Sequence, residues 1–239
     1  MMNSPRLWLV IPAAGVGRRM AADCPKQYLR IHNRYVLDIT LSRVLDFAPF
    51  AGCVVALNPE DGYWSEADAS KDPRIQTCAG GQERADSVLA ALQALDARAA
   101  DDDWVLVHDV ARPCLMAEDL TRLLERLAAD EVGGLLAAPV SDTIKRVPKG
   151  RDQVTATEDR SLLWRALTPQ MFRYRTLCAA LTQGLQAGQP ITDEASAIEL
   201  AGLIPRVVEG RPDNLKITVP ADLALAEFIL GQSTARDQQ

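Results

Sequence analysis

The fold is decided near the N-terminus by an apolar run and the small-residue loop that follows it, Leu7-Trp8-Leu9-Val10-Ile11-Pro12-Ala13-Ala14-Gly15-Val16-Gly17-Arg18-Arg19-Met20. The apolar run predicts a buried β-strand over 7–12. Small residues let main-chain N–H groups approach a ligand closely, and glycine permits the positive φ that such a loop needs. Nucleotides bind at the carboxyl ends of parallel strands, so this loop predicts a phosphate site. Arg18, Arg19 and, further on, Lys26 strengthen the prediction, since a simple turn needs no cations.

Two common phosphate-binding motifs are absent from this loop. A dinucleotide fingerprint needs a third glycine where Met20 stands, and a Walker A loop needs Gly-Lys followed by Ser or Thr. The glycine loop taken alone therefore leaves an ordinary strand-to-helix turn open as an alternative.

Outward from this stretch, short apolar runs alternate with amphipathic patterns along most of the chain. The runs predict strands over 7–12, 52–57, 75–78, 105–108, 135–138, 204–209 and 215–218. Helical periodicity predicts helices over 38–47, 84–97, 118–129, 175–186, 194–200 and 221–230. Such alternation is typical of an α/β, Rossmann-like fold with a mostly parallel sheet and helices on both faces.

The alternation fails between 139 and 167, where the chain is rich in charge and contains Pro148-Lys149-Gly150. Two β-type fragments in this stretch predict a hairpin arm that projects from the sheet. The polar residues 231–239 predict a disordered tail. We therefore expect a single domain over 1–230 that includes the arm.

Composition excludes several classes of protein. At 239 residues the chain suits one sizeable core. A net charge of −6 argues against a general nucleic-acid binder. No apolar run is long enough to span a membrane or to form a signal-peptide core, so we expect a cytoplasmic protein. Five scattered cysteines and two histidines support neither a zinc cluster nor a disulfide framework.

Two further motifs follow predicted strands. The first motif opens a predicted helix and reads Gly80-Gly81-Gln82-Glu83-Arg84-Ala85-Asp86-Ser87. Its glycines and Ser87 suit contact with a nucleotide base. An ordinary glycine turn is the alternative. Val107-His108-Asp109-Val110-Ala111-Arg112-Pro113 ends another strand. A lone carboxylate there suits a Mg²⁺ ligand completed by substrate phosphates. Arg112 suits a second phosphate, and His108 is read as a satisfied histidine beneath the site rather than a general base.

These motifs resemble, in order, those of the 2-C-methyl-D-erythritol 4-phosphate cytidylyltransferase family of the non-mevalonate isoprenoid pathway. The resemblance runs from the first strand through Glu227. It is carried by Pro-Ala-Ala-Gly-x-Gly-x-Arg-Met, Pro-Lys-Gln, Gly-Gly-x-x-Arg-x-x-Ser, His-Asp-x-Ala-Arg-Pro, Asp-Thr-x-Lys, Thr-Pro-Gln, Thr-Asp-Glu-Ala and Asn-x-Lys-x-Thr. It implies a Mg²⁺-dependent transfer of CMP from CTP to methylerythritol phosphate, with release of pyrophosphate.

The resemblance also implies roles for single residues and a homodimer. Residues expected around the nucleotide are Pro12, Ala13, Ala14, Gly15, Gly17, Gly81, Arg84 and Ser87. Catalytic roles are implied for Arg19, Lys26, Arg160 and Lys216. Asp109 is expected to contact the metal and the acceptor substrate, whose pocket is shaped by Arg112, Thr143, Arg160, Thr168, Thr192 and Lys216. Thr143 and Arg160 are expected to reach that pocket from the arm of a partner subunit.

Two positions depart from the family pattern, and two rival functions stay open. Gln82 stands where a carboxylate is common, and Val110 stands where alanine is usual. A sister transferase, such as a ribitol-phosphate cytidylyltransferase, differs by few side chains. A non-catalytic nucleotide-binding subunit is the rival from another class, although it needs only the binding residues and not the full set of cations.

Overall fold

The computed structural model describes residues 4–15 and 24–236. The strands in this part of the chain are β1 (Leu7–Ala13), β2 (Arg30–Ile31), β3 (Arg34–Tyr35), β4 (Gly52–Leu57), β5 (Ile75–Ala79), β6 (Trp104–Val107), β7 (Gly133–Pro139), β8 (Lys145–Arg146), β9 (Ala156–Thr157), β10 (Trp164–Arg173) and β11 (Arg206–Glu209). The α-helices are α1 (Val36–Phe47), α2 (Arg84–Gln93), α3 (Ala117–Leu127), α4 (Tyr174–Gln186), α5 (Glu194–Leu200) and α6 (Pro220–Arg236).

Seven of these strands form one twisted sheet in the order β11-β7-β10-β6-β1-β4-β5. The pairs β1 with β4, β1 with β6, β4 with β5 and β11 with β7 are parallel. Only β10, among the seven, runs antiparallel to both neighbours. The predicted mostly parallel sheet is therefore confirmed.

Helices cover both faces of the sheet because the strand side chains alternate between them. On one face Leu9 and Ile11 of β1 pack in a cluster with side chains of α1 and α3. On the other face Trp8 and Val10 pack in a cluster with side chains of α2, α4 and α5. These four residues of β1 are all at most 2% exposed, so the first strand lies at the centre of the core.

The stretch between β7 and β10 forms an exposed hairpin. Strands β8 and β9 pair antiparallel, and the hydrogen bond from Glu158 N–H to the Ile144 carbonyl (2.9 Å) extends the ladder. We call residues 140–163, between β7 and β10, the arm. It matches the hairpin expected from the sequence.

Three segments differ from the sequence prediction. Strand β10 occupies Trp164–Arg173, whereas the sequence predicts the arm as far as 167 and no strand in the residues that follow. Residues 215–218, predicted as a strand, form no strand, although Ile217 N–H donates to the Ala111 carbonyl (2.8 Å). Helix α6 continues through Arg236 and so includes 231–236, the first part of the polar segment for which the sequence predicts a tail. None of the helices in the described part of the chain has the length and apolarity that a membrane span requires.

Candidate active site

The glycine loop lines a pocket of about 240 Å³ at the carboxyl edge of the sheet. The ends of β1, β5 and β6 meet here, as expected for parallel neighbours. The lining residues are Pro12, Ala13, Ala14, Gly15, Lys26, Gln27, Gly81, Gln82, Glu83, Arg84, Ser87, Asp109, Val110, Ala111 and Lys216. We call this space the first pocket. Gly17 and Arg19 lie outside the described residues.

Close packing between two loops explains the small residues on the rim of the first pocket. A Cβ on Gly80 would lie 2.5 Å from the Ala14 Cβ, and a Cβ on Gly81 would lie 2.3 Å from the Asp86 Cβ. Gly80 N–H also donates to the Leu57 carbonyl (2.7 Å). The loop after β5 therefore packs directly against the loop after β1, with no room for a side chain at Gly80.

Lys26 is carried by a short 3₁₀ turn, Lys26–Tyr28, that is fastened to the end of β1. The buried Gln27 side chain donates from Nε2 to the Ala13 carbonyl (2.8 Å). The Tyr28 ring stacks on Tyr63 with ring centroids 5.1 Å apart. Lys26 Nζ lies 3.4 Å from the Ile217 carbonyl, so this ammonium joins the turn to the loop that carries Lys216.

Ser87, expected at a base edge, holds the glycine loop of the first pocket in place. Its Oγ accepts from Gly81 N–H (3.2 Å) and donates to the Glu83 carbonyl (3.1 Å). Glu83 and Asp86 form a capping box at the start of α2. The hydroxyl proton of Ser87 is thus used within α2.

Asp109 lies at the centre of a cluster of charged side chains at the border of the first pocket. Its Oδ1 accepts from Arg84 Nε (3.0 Å), and its Oδ2 lies 2.8 Å from Lys216 Nζ and 3.4 Å from Arg112 Nε. Burial alone would raise the pKa of Asp109, but Arg84, Lys216 and Arg112 outweigh it and hold that pKa well below its usual range. The carboxylate therefore stays ionised.

Arg84 links Asp109 to a second buried acid. Its Nη1 and Nη2 lie 2.6 Å and 3.0 Å from the two carboxylate oxygens of Glu194, a bidentate pair. Burial would lower the pKa of Arg84, but Glu194 and Asp109 raise it above its usual value. The resemblance implies that Arg84 lies beside the cytosine; in the structure Arg84 lines the first pocket and its guanidinium contacts two carboxylates.

The second pocket, of about 250 Å³, adjoins the first across this charge cluster. Arg84, Asp109 and Lys216 line both pockets. Its remaining lining residues are Arg112, Ala166, Leu167, Thr168, Gln170, Thr192 and Asp193. The expected acceptor residues Arg112, Thr168 and Thr192 therefore come together here.

Thr143 and Arg160 are the expected acceptor residues that the fold of one chain does not bring to the second pocket. Both lie on the exposed arm and line neither pocket. Arg160 Nη1 donates to the Ser141 carbonyl (2.5 Å) within the arm itself. A single chain thus leaves these two side chains apart from the others.

Metal-ligand chemistry at the site rests on Asp109. Across residues 4–15 and 24–236, no group of three or more His, Cys, Asp or Glu side chains is placed to hold a metal ion. One ionised carboxylate between two pockets still fits Mg²⁺, which keeps several waters and takes its other oxygens from substrate phosphates.

Comparison with known proteins agrees with this geometry. The sequence model of the family described as 2-C-methyl-D-erythritol 4-phosphate cytidylyltransferase matches residues 7–232. A protein with that name from Ectopseudomonas mendocina (strain ymp) is 57% identical over 222 residues, which cover 92% of this chain and 94% of the relative. The chain belongs to this cytidylyltransferase family. Its members are nucleotidyltransferase enzymes.

Solved structures of this cytidylyltransferase family share the fold. A crystal structure described as 4-diphosphocytidyl-2C-methyl-D-erythritol synthase superposes with a TM-score of 0.81 at 38% identity, covering 95% of this chain and 98% of the other. The Francisella tularensis 2-C-methyl-D-erythritol 4-phosphate cytidylyltransferase gives a TM-score of 0.79 at 37% identity, covering 94% and 99%. The α/β fold of this cytidylyltransferase is therefore that of its relatives.

Gln27 and Glu194 are among the side chains of this cytidylyltransferase site that the sequence did not predict. Gln27 lines the first pocket, and Glu194 is the buried partner of Arg84. Both stand inside quoted motifs, Pro-Lys-Gln and Thr-Asp-Glu-Ala, and that position was the available signal. Their contacts could not be derived from the motifs, because Glu194 lies 110 positions from Arg84 in the chain.

Proposed function

We propose that the chain transfers CMP from CTP to 2-C-methyl-D-erythritol 4-phosphate, giving 4-diphosphocytidyl-2-C-methyl-D-erythritol and pyrophosphate. The observation that carries the proposal is the pair of adjoining pockets with Arg84, Asp109 and Lys216 as their common wall. Two anionic substrates in these pockets would meet at a wall that bears cations. The names of the relatives supply the identity of the two substrates.

In this proposal CTP occupies the first pocket. The main chain of Pro12, Ala13, Ala14 and Gly15 surrounds the triphosphate, and Lys26 neutralises its charge. Gly17 and Arg19 belong to the same sequence motif and are assigned the same task. The part of the first pocket lined by Gly81, Arg84 and Ser87 is assigned to the base.

The acceptor occupies the second pocket. Arg112 and Lys216 lie on the two sides of Asp109 Oδ2, and we assign the acceptor phosphate to these cations. Thr168 and Thr192 line the rest of this pocket and face the polyol part of the acceptor. The phosphate thus approaches the α-phosphorus from the side of Lys216.

The reaction is an in-line displacement. An oxygen of the acceptor phosphate forms a bond to the α-phosphorus of CTP while the bond from that phosphorus to the β-phosphate oxygen breaks, and pyrophosphate leaves with the bonding electrons. A phosphate is already ionised near pH 7, so no strong base is needed. His108 supplies none, because burial lowers its pKa to about 4 and both ring nitrogens are hydrogen-bonded.

Asp109 would hold Mg²⁺, with the remaining ligands from water and the triphosphate. When bound, the ion supplies charge neutralisation for the triphosphate and the leaving pyrophosphate. Lys26 and Lys216 add positive charge that stays fixed in the protein, and they orient the two reacting groups.

A homodimer completes the site in this proposal. Thr143 and Arg160 line neither pocket of their own chain, and the arm that carries them is exposed. Exposed apolar side chains on and beside the arm, Val154 (57%), Leu162 (78%) and Trp164 (44%), suit burial against a second copy. We therefore assign Thr143 and Arg160 to the acceptor pocket of the partner subunit. The proposed location of the enzyme is the cytoplasm.

One assay tests the function. The protein is incubated with Mg²⁺, one nucleoside triphosphate and either methylerythritol phosphate or ribitol 5-phosphate, and pyrophosphate release is followed. We expect release only with CTP and methylerythritol phosphate. Faster release with ribitol 5-phosphate would assign the chain to the sister transferase, and no release with any pair would favour a non-catalytic nucleotide-binding subunit.

A further inference from the structure

His108 lies beneath the second pocket without lining it. It follows the last residue of β6 and is completely buried. Its Nε2 lies 3.0 Å from the Arg112 carbonyl oxygen, and its Nδ1 lies 3.0 Å from Thr168 Oγ1. Both partners belong to residues that line the second pocket and not the first.

The direction of each hydrogen bond follows from the chemistry of the partners. A carbonyl oxygen only accepts, so Nε2 of His108 must carry the proton that it donates to Arg112. In the neutral ring Nδ1 then has a lone pair, and the Thr168 hydroxyl donates to it. Thr168 Oγ1 in turn accepts from Asp109 N–H (3.1 Å).

A second set of contacts closes this series of hydrogen bonds into a ring. Asn214, which is completely buried, donates from Nδ2 to the Thr168 carbonyl (2.7 Å). The Asn214 carbonyl accepts from Arg112 Nη1 (2.6 Å). The Arg112 guanidinium and the Thr168 side chain are therefore both fixed relative to His108.

We propose that His108 is a positioning residue for the acceptor substrate: its ring fixes Arg112 through the main chain and sets the polarity of the Thr168 hydroxyl. The inference rests on the proposed function, since it concerns the acceptor of that reaction. It goes beyond the role of a satisfied core histidine, because it assigns His108 an effect on one substrate only.

The polarity of Thr168 also orients the acceptor in the second pocket. The single hydroxyl proton of Thr168 is given to His108, so Thr168 can only accept from a ligand. A phosphate oxygen finds no donor there, whereas a hydroxyl group of a polyol finds an acceptor. The acceptor phosphate is thus directed to Arg112 and Lys216, and the polyol hydroxyls to Thr168.

The test measures KM for each substrate separately in His108→Phe, His108→Gln, Thr168→Val and Thr168→Ser. We expect His108→Phe and Thr168→Val to raise KM for methylerythritol phosphate about tenfold or more, and to change KM for CTP less than about twofold. His108→Gln and Thr168→Ser keep a donor and an acceptor, so their KM values should lie between those of the parent and the stronger variants. Combining His108→Phe with Thr168→Val should cost little more than either change alone.

His32→Phe is the matched control, because His32 is the only other histidine and its side chain is 65% exposed. We expect its two KM values to equal those of the parent. Unchanged KM for the acceptor in His108→Phe, a parallel rise of both KM values, or additive effects in the double variant would overturn the proposal. If His108→Phe does not fold, His108→Gln and Thr168→Val give the same comparison.

Calorimetry separates this proposal from the proposed function. Methylerythritol phosphate is titrated into each variant in the presence of a non-hydrolysable CTP analogue, so no turnover is required. If the parent protein binds the acceptor in calorimetry but releases no pyrophosphate from CTP in the activity assay, the proposed reaction is refuted. The dissociation constants of the variants then still test the role of His108. A parent that neither reacts with nor binds the acceptor would overturn both proposals.

Discussion

Lys26 belongs to two parts of the site at once. It lines the first pocket, and its Nζ lies 3.4 Å from the Ile217 carbonyl beside Lys216. Replacing Lys26 by Ala removes a cation from the triphosphate, and we expect kcat to fall by about a thousandfold while the fold is retained. Pyrophosphate release measures the effect. Lys71→Ala is the control, because the Lys71 side chain is 73% exposed and lines neither pocket. Near-normal turnover in Lys26→Ala would refute the role of Lys26.

Glu194 matters for stability because it neutralises a largely enclosed guanidinium. Its side chain is 1% exposed and its bidentate partner Arg84 is 24% exposed. Replacing Glu194 by Gln leaves Arg84 with half of its ionic partners, so we expect the free energy of unfolding to fall by about 3 kcal/mol. Urea denaturation measures this. Glu199→Gln on the exposed side of the same helix should change it by less than about 0.5 kcal/mol, and equal effects of both changes would contradict the explanation.

At the scale of single residues, sequence motifs located the site but not the hydrogen bonds within it. Asp109, Arg112 and Lys216 were expected together and lie together. Ser87 and Arg84, expected around the base, both line the first pocket, but the motif did not predict that Ser87 bonds to Glu83 or that Arg84 bonds to Glu194. A motif fixes which side chains are near a site, whereas their pairing depends on partners far away in the chain.

Asp103 fastens the beginning of β1 to the beginning of β6. It accepts from Arg6 N–H (2.8 Å), Trp8 Nε1 (2.8 Å) and Ala100 N–H (3.0 Å). Burial would raise the pKa of Asp103, but these donors and the Arg6 guanidinium hold it below its usual value. The ionised form therefore stabilises the junction between the two strands.

This junction predicts a pH-dependent effect of Asp103→Asn. The folded-state pKa of Asp103 lies below its unfolded value of about 3.9. The contribution of the ionised carboxylate to the free energy of unfolding is therefore complete above the unfolded pKa, and it is lost as the pH falls through the folded-state pKa. We expect Asp103→Asn to lower the free energy of unfolding by about 2 kcal/mol at pH 7. Chemical denaturation at pH 7, 5 and 3.5 should show the difference shrinking at the lowest pH. A difference that is independent of pH would contradict this account.

At the scale of elements, periodicity was a good guide except where local chemistry opposed it. The sequence pattern predicts no strand over 164–173, and Pro169 within β10 cannot donate to a ladder. The structure accommodates Pro169 because the pairing of β10 with β7 shifts register between Ala166 and Gln170. Residues 215–218 have the apolar alternation of a strand but lie beside Lys26 as a loop and pair with none of the seven strands of the sheet.

At the scale of the whole molecule, the alternation of strands and helices was enough to predict the α/β architecture and its mostly parallel sheet. It could not predict the seven-strand order, because an antiparallel strand inserted between β6 and β7 leaves no mark in the periodicity. The expected homodimer leads to a test that needs no structure of the assembly.

Mixing two inactive variants tests whether the arm of one subunit serves the site of the other. Lys26→Ala disables a subunit's own site, and Arg160→Ala is expected to disable the partner's site. A heterodimer of the two contains one site with both residues intact, so a fully exchanged equal mixture should recover about a quarter of the parent activity. Recovery would be measured after co-refolding and compared with each variant refolded alone. A mixture no more active than its components would show that Arg160 acts within its own chain.

The position of β10 in the sheet has a consequence for a chain that is still growing on the ribosome. In the part of the chain that the structure describes, strand β6 pairs with β10 on one side, and both sheet neighbours of β7, β10 and β11, come later in the chain. Until residue 173 has emerged, two buried apolar strands have open edges, and open edges invite pairing with other chains. The nascent protein is thus most exposed to aggregation after β7 and before β10, in the interval during which the polar, charged arm is being synthesised.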